Sequence, residues 1–557
     1  MEVEQPKAGL ERRRRFRYVA ALALLTLLAA GLRFYRLGDY PGGYDQDEVI
    51  CVYDAWSLLT TGQEHHGDRW PLNSRQFGDY PSSLPTYWTM LFVALMGPIP
   101  LATRVACACV NVAAVPFFGL LATRLFRSRA AGLFAAALLA VAPWALFLSR
   151  CSFSPGFITF FQVAALWLLH RLLTGQGARV RSYGMAVGVG VMLFLWTHEF
   201  LSQYLFAPFL IGAAMLIWWR RNARLIFTAG GVYSLLMLAA ILVRFQIPAA
   251  SGRVQSHSIL FADHPVRIFL LNYLQYHSFQ FLFDAPAMLP LQQIPGVAHI
   301  SHLLAPLYAL GWLVLAAAVI APGGLRRRLG LPDAPAECDH WRRSALWIIV
   351  WMALAPVSGA LFRQTLYTAR VTHLLVGVLL VIAFGCTAVW HGLQRLPLRL
   401  AAPAFAVLFA AYLGVQTVKT AQALVRTNPF FKEYFQYGVP EVVQYLARQT
   451  DVRSVHFPPL HQGYAYYLLF TPVHPATLNH ALVSPSLQND SKTWRYLRVS
   501  SLDKYRFDER LDPGDVAVHA ELRHQVRDRD RIWFDLYERD GNWFVMPHKA
   551  PATGLSP

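Results

Sequence analysis

Apolar residues come in long blocks along most of this chain. The stretches Tyr18–Leu32, Ala131–Leu148, Tyr233–Val243, Leu346–Leu361 and Val371–Trp390 hold few or no charges. A bilayer crossing needs about 20 mostly apolar residues, and several blocks reach that length once flanking aromatics are counted. The pattern predicts a first helix at about Tyr18–Leu32 and then a long polar loop to about Pro98. Ten more helices follow near residues 99–121, 131–149, 155–173, 183–198, 201–219, 225–245, 301–321, 344–362, 371–391 and 400–418. The expected class is an all-α polytopic membrane protein with about eleven crossings.

After about Val418 the pattern changes. Charges become frequent, and short helical and strand-like pieces alternate. Val439–Gln449 reads as an amphipathic helix, and Ser454–Phe457 and Asp515–His519 read as strands. A small α/β domain is expected there.

Composition supports the membrane reading, because 55% of the 557 residues are hydrophobic and 15% are charged, against about 25% charged in soluble domains. The net charge of +18 would suggest nucleic acid in a soluble protein, but the cations sit in short alternate loops. These hold Arg12 to Arg15 and Arg17; Arg124, Arg127 and Arg129; Arg171, Arg179 and Arg181; Arg220, Arg221 and Arg224; Arg326 to Arg328, Arg342 and Arg343; and Arg395 and Arg399. The positive-inside rule makes that side cytoplasmic, and no nucleic-acid partner is implied. The first long loop is acidic, with Asp39, Asp45, Asp47, Glu48, Asp54, Glu64, Asp68 and Asp79.

The expected organisation follows. Residues 1–17 form a basic cytoplasmic N-terminus. Residues 18–418 form the transmembrane domain, with its first extracytoplasmic loop at 34–98. Residues 419–557 form a soluble domain on the extracytoplasmic side of an inner or plasma membrane. The apolar stretch after Arg17 lacks a small-x-small cleavage site and reads as a retained helix. Six cysteines make no disulfide framework and no CxxC or Cys/His zinc spacing, although Cys51 and Cys151 share the outer side in this layout.

The sharpest local feature is Tyr44-Asp45-Gln46-Asp47-Glu48-Val49. Pro41-Gly42-Gly43 breaks the chain, and Val49, Tyr53, Trp56 and Leu59 then repeat at helical spacing, so a helix begins at about Gln46. Capping accounts for Asp45 as N-cap and Glu48 at the third position. It leaves Asp47 on the first turn, able to point into a site. A divalent metal held by Asp45 and Asp47 is a competing use, and His65-His66 lies in the same loop, although adjacent histidines are more often solvated. His198-Glu199 at a helix end is not an HExxH site, since Ser202 follows at the fourth position. Arg104, Arg150, Arg363 and Arg370 gather at the same outer level. Each alone reads as snorkelling. As a set facing an acidic loop they read as an anion site, most simply for phosphate.

The run Asp47-Glu48, Thr61-Gly62, Gly67, Trp70-Pro71-Leu72, Gly78-Asp79-Tyr80-Pro81 and Tyr87-Trp88 resembles the first extracytoplasmic loop of GT-C glycosyltransferases. Families of this kind that it resembles are the protein O-mannosyltransferases and the lipid A aminoarabinose transferases, with their bacterial cousins. Leu121-Ala122-Thr123-Arg124-Leu125-Phe126, Pro143, Ser149-Arg150, Asn272-Tyr273-Leu274, Phe281-Leu282-Phe283, Ile294-Pro295-Gly296 and Gly463-Tyr464 to Phe470 add short matches along the chain. The resemblance implies transfer of a sugar from a polyprenyl-phosphate carrier to an acceptor, with no nucleotide sugar. It implies Asp47 as general base, with Glu48 orienting it or capping the helix, and inversion at the anomeric carbon. It implies Arg150 and Arg370 at the donor phosphate; Arg363, from the outer-level arginines, is a further candidate there. Asp45, His198, Glu199 and Tyr80 are further candidates. No cofactor is required, and a divalent metal would use Asp45 and Asp47. Pro81-Ser82-Ser83-Leu84-Pro85 lacks the lysine that the aminoarabinose enzymes carry there, which argues against that particular activity. The acceptor is not implied: a protein, a lipid and a glycan all stay open.

Two other functions compete. A transporter or flippase of a lipid-linked or anionic substrate would show internal repeats and broken helices in matching halves, and neither is clear. A catalytically dead relative would not need the Asp47-Glu48 pair.

Overall fold

The computed structural model describes residues 5–77, 79–152, 155–175, 179–219, 223–246, 258–284, 293–321, 335–363, 366–457, 462–471, 473–480, 501–507, 516, 520–528 and 531–548. The chain is mostly helical, with a small sheet near its C-terminus. The first ten helices are α1 (Gln5–Phe34), α2 (Gln46–Thr61), α3 (Leu84–Met96), α4 (Pro100–Phe126), α5 (Arg129–Val141), α6 (Pro143–Leu148), α7 (Pro155–Thr174), α8 (Arg179–Glu199), α9 (Leu201–Ile217) and α10 (Ala223–Phe245). Among the described residues eight helices are long and apolar enough to cross a membrane. They are Gly9–Phe34, Pro100–Phe126, Pro155–Thr174, Ala223–Phe245, His302–Ile320, Glu337–Ala360, Thr372–Leu393 and Ala401–Arg426.

All eleven predicted helices are helical, but three fall short of that measure. The one predicted at 131–149 is divided into α5 and α6, because Pro143 has no N–H to continue the ladder and takes the first position of the next helix. α8 carries arginines in its first turn, and α9 is only 17 residues long. Two helices, α2 and α3, lie in the stretch read as the first loop. α2 begins at Gln46, as the pattern predicts.

The chain divides into two compact units. The first comprises residues 1–35, 107–246 and 257–425. The helix Thr372–Leu393 lies at its centre and is buried along most of its length. The helix Ala305–Ile320 approaches it so closely that a Cβ on Gly311 would lie 2.2 Å from the Val381 carbonyl oxygen, and one on Gly385 would lie 2.0 Å from that of Leu307. Small residues at such a crossing let two backbones touch, which is how apolar helices gain packing energy where no water is excluded.

The second unit comprises residues 36–106, 247–256 and 426–557. The first loop therefore folds with the C-terminal segment and shares its core: Val49, Ile50, Val52 and Tyr53 of α2 are buried with Val442, Leu446, Val455, Tyr464, Leu468, Leu536 and Val545. The strands are β1 (Ser454–His456), β2 (Ser501–Leu502), β3 (Tyr505–Arg506), β4 (Glu521–Asp528), β5 (Arg531–Arg539) and β6 (Asn542–Pro547), in the order β2-β3-β1-β6-β5-β4. β1 runs parallel to β3 and β6, and the other pairs are antiparallel. The amphipathic helix predicted at Val439–Gln449 spans Val439–Ala447, and β1 falls within the strand predicted at Ser454–Phe457. The strand predicted at Asp515–His519 lies outside the described residues, apart from Val516. All six cysteines are free.

Candidate functional site

The site begins at the N-terminus of α2. Gly43 has φ +80°, and a Cβ there would lie 2.7 Å from the Phe435 carbonyl oxygen, so only glycine lets the chain turn into the helix at this point. Asp45 caps the helix, its Oδ1 accepting the Asp47 N–H at 2.9 Å. Glu48 Oε2 accepts the Asp45 N–H at 3.0 Å, and the capping box is complete.

Glu48 has a second partner. The fully buried Arg104 on α4 donates from Nε to Oε1 at 2.7 Å and from Nη2 to Oε2 at 2.8 Å. Its remaining donors reach the carbonyls of Pro41 at 2.7 Å and Gly43 at 2.6 Å. The Tyr44 ring packs on the guanidinium at 4.3 Å, and the Tyr44 carbonyl accepts from the Tyr466 hydroxyl at 2.5 Å. Asp45 and Glu48 are both buried, whereas Asp47 between them is exposed on the first turn. Burial, and then the charge of Asp47, hold the Asp45 carboxyl well above the usual carboxylate range.

A second cluster lies two turns further along α2. Asp54, Glu64 and His65 are all fully buried. His65 Nδ1 lies 2.6 Å from Asp54 Oδ1 and 3.2 Å from Glu64 Oε2, and the His65 backbone N–H also donates to Asp54 Oδ1 at 3.0 Å. The Tyr464 hydroxyl approaches the other ring nitrogen at 3.4 Å, and His480 Nδ1 donates to the His65 carbonyl at 2.9 Å. Burial alone would lower His65, but Asp54 and Glu64 outweigh it and hold the imidazole up at about 10. Burial raises Glu64. His66 is lowered by its own burial and by His65. The expectation that these histidines are solvated is thus corrected for His65, which the carboxylates draw inward. Among the described residues this is the cluster whose ligand atoms lie close enough to share one metal ion. Asp45 and Asp47 are not part of it.

Tyr80 is half-buried in the second unit, its carbonyl accepting from Asn73 Nδ2 at 3.2 Å. The other predicted residues belong to the first unit. The buried Arg150 donates to the carbonyls of Leu32 at 2.9 Å, Arg33 at 3.0 Å and Tyr35 at 2.9 Å. It therefore satisfies the end of α1, where helix carbonyls lack partners. Arg363 is exposed and donates to Ser258 O at 3.1 Å and to Phe261 O. Arg370 is buried with its guanidinium over the rings of Phe362 at 3.9 Å and Tyr367 at 4.5 Å. His198 pairs with the Tyr204 hydroxyl at 2.5 Å. Glu199 is fully buried, and neither carboxylate oxygen has a hydrogen-bond partner among the described residues. Asp54, Glu64 and Tyr464 were not singled out from the sequence. The one available signal was an aspartate on the apolar face of a helix, ten residues before a Glu-His pair.

These elements define a polytopic helical membrane protein with a sheet-bearing second unit. No family model matches the chain, and no curated protein sequence matches it. The chain is similar in fold to several solved structures. One is the archaeal oligosaccharyltransferase AglB from Archaeoglobus fulgidus in complex with an inhibitory peptide and a dolichol-phosphate, with 12% identity over 83% of this chain and a TM-score of 0.49. Another is ArnT from Cupriavidus metallidurans bound to undecaprenyl phosphate, with 13% identity over 84% of this chain and 87% of that one and a TM-score of 0.47. The chain spans 64% of the length of AglB.

Proposed function

We propose that this protein is a GT-C-type membrane glycosyltransferase that moves a sugar from a polyprenyl-phosphate donor to an acceptor hydroxyl on the extracytoplasmic face. The observation that carries it is the exposed Asp47 on the first turn of α2, between two acids whose carboxylates are committed to the helix start and to Arg104. A general base must reach its substrate from a fixed position, and this arrangement fixes the backbone of Asp47 while leaving its side chain at the surface. Asp47 and Glu48, the acid pair of the first-loop resemblance, lie on this helix start.

In the proposed reaction the acceptor oxygen attacks the anomeric carbon as its proton passes to Asp47. The bond from that carbon to the lipid phosphate breaks on the opposite side, so the anomeric centre inverts. Glu48 is a positioning residue, since it acts through Arg104 and the cap. Arg370 and Arg363 are the proposed cations for the departing phosphate. Arg150 is a further proposed cation for it, held at the end of α1.

The test is sugar transfer by the purified protein in detergent from synthetic polyprenyl-phosphate sugars, comparing wild type with Asp47→Asn. Transfer by wild type and loss in a folded Asp47→Asn protein supports the assignment. Near-normal transfer by Asp47→Asn overturns it. Movement of an intact lipid-linked substrate across liposomes, with no sugar transfer, would point to transport instead.

A further inference from the structure

We infer that Asp54, Glu64 and His65 form a binding site for one divalent cation of borderline hardness, such as zinc. The inference does not depend on the proposed reaction. The three side chains offer two carboxylate oxygens and one imidazole nitrogen, all within 4.8 Å of one another. That donor set suits zinc better than calcium, which prefers six to eight oxygens, or copper(I), which prefers sulfur.

Two observations go beyond the clustering. The first is that Asp54 Oδ2 accepts no hydrogen bond among the described residues, although Asp54 is fully buried. A buried carboxylate oxygen without a donor is costly. The second is convergence: His65 Nδ1 lies 2.6 Å from Asp54 Oδ1 and 3.2 Å from Glu64 Oε2, so ligand atoms from the helix and from the turn after it already face one another in an enclosed space.

The surroundings support a structural role for the ion. Asp54 is on α2, whereas Glu64 and His65 follow the helix end at Gly62. Glu64 Oε1 accepts the His66 N–H at 3.1 Å and holds the tight turn that presents both ligands. His65 meets Tyr464 through its other ring nitrogen and His480 through its carbonyl. Those contacts orient the ring, as groups behind a metal-binding histidine do. A bound ion would therefore join α2, the turn after it and the C-terminal segment of the same unit.

The experiment uses the full-length protein in detergent, stripped with chelator, then given zinc chloride and passed through gel filtration. Elemental analysis should find one zinc per chain. Asp54→Asn and Glu64→Gln, each close in shape to the native residue, should lose it. X-ray absorption at the zinc edge of wild type should show one imidazole nitrogen and oxygen ligands at about 2.0–2.2 Å. The proposal is overturned if wild type keeps no stoichiometric zinc, if folded variants keep the same amount, or if the spectrum shows several histidines or sulfur. If the variants do not fold, the wild-type spectrum decides alone.

Discussion

Arg104 and Glu48 form a doubly hydrogen-bonded ion pair, at 2.7 and 2.8 Å, with both side chains fully buried. The pair joins the start of α2 to α4, and through the Pro41 and Gly43 carbonyls it holds the turn that leads into the helix. Taking two charges out of water is expensive, and the expense is offset only where every donor and acceptor is used. Here nearly all of them are.

Removing one partner should therefore damage the fold more than removing both. Arg104→Leu alone leaves a buried carboxylate and should cost about 3–5 kcal/mol. Adding Glu48→Leu should recover much of that loss, although the capping contribution of about 1 kcal/mol stays lost. Thermal unfolding in detergent of the two single variants and the double variant reads this out. Equal and additive losses would show that the pair is not coupled.

Asp47→Asn should behave differently. The side chain is exposed, so unfolding temperature should move little. Transfer should fall about a hundred- to ten-thousand-fold, the usual contribution of a general base. A matched loss of stability and activity would instead make Asp47 a structural residue.

Asp45 gives a prediction in pH. Its carboxyl is raised in the folded protein, first by burial and then by Asp47. The folded state therefore holds the proton more tightly than the unfolded chain. The stability it contributes is complete below the unfolded value of about 3.9 and is lost as pH rises through the folded value. Asp45→Asn keeps an acceptor for the Asp47 N–H and removes the charge. Its unfolding temperature should fall less than that of wild type between about pH 5 and pH 8. Parallel curves for the two proteins would contradict this.

Gly385→Val tests the crossing at the centre of the first unit. The new Cβ would meet the Leu307 carbonyl at 2.0 Å, so the helices must separate. Overpacking of this kind costs about 1–3 kcal/mol, and more where backbone must move. The variant should melt earlier than wild type, while a valine at Gly392, which has open space around it, should not.

The helices were legible because each crossing needs an apolar run, and a run is a property of the sequence alone. The start of α2 was legible for a similar reason, since Pro41-Gly42-Gly43 and the Asp45/Glu48 pair are short-range signals. α3 was missed because it spans only 13 residues, Leu84–Met96, within a stretch judged by its polar start. The break at Pro143 was written in the residue but hidden by the apolar run around it.

Composition and order along the chain determined the class of this protein, its long apolar helices and the acid-bearing helix start, because capping and bilayer length act over a few residues. Which acid stays exposed, and which are enclosed, came from tertiary structure. Glu48 lies 56 positions from Arg104, and His65 lies 399 positions from Tyr464. No spacing rule connects such residues. They meet because burying the apolar faces of α2 and the C-terminal segment against each other brings their polar neighbours together, and a buried charge keeps only the partners that this packing supplies.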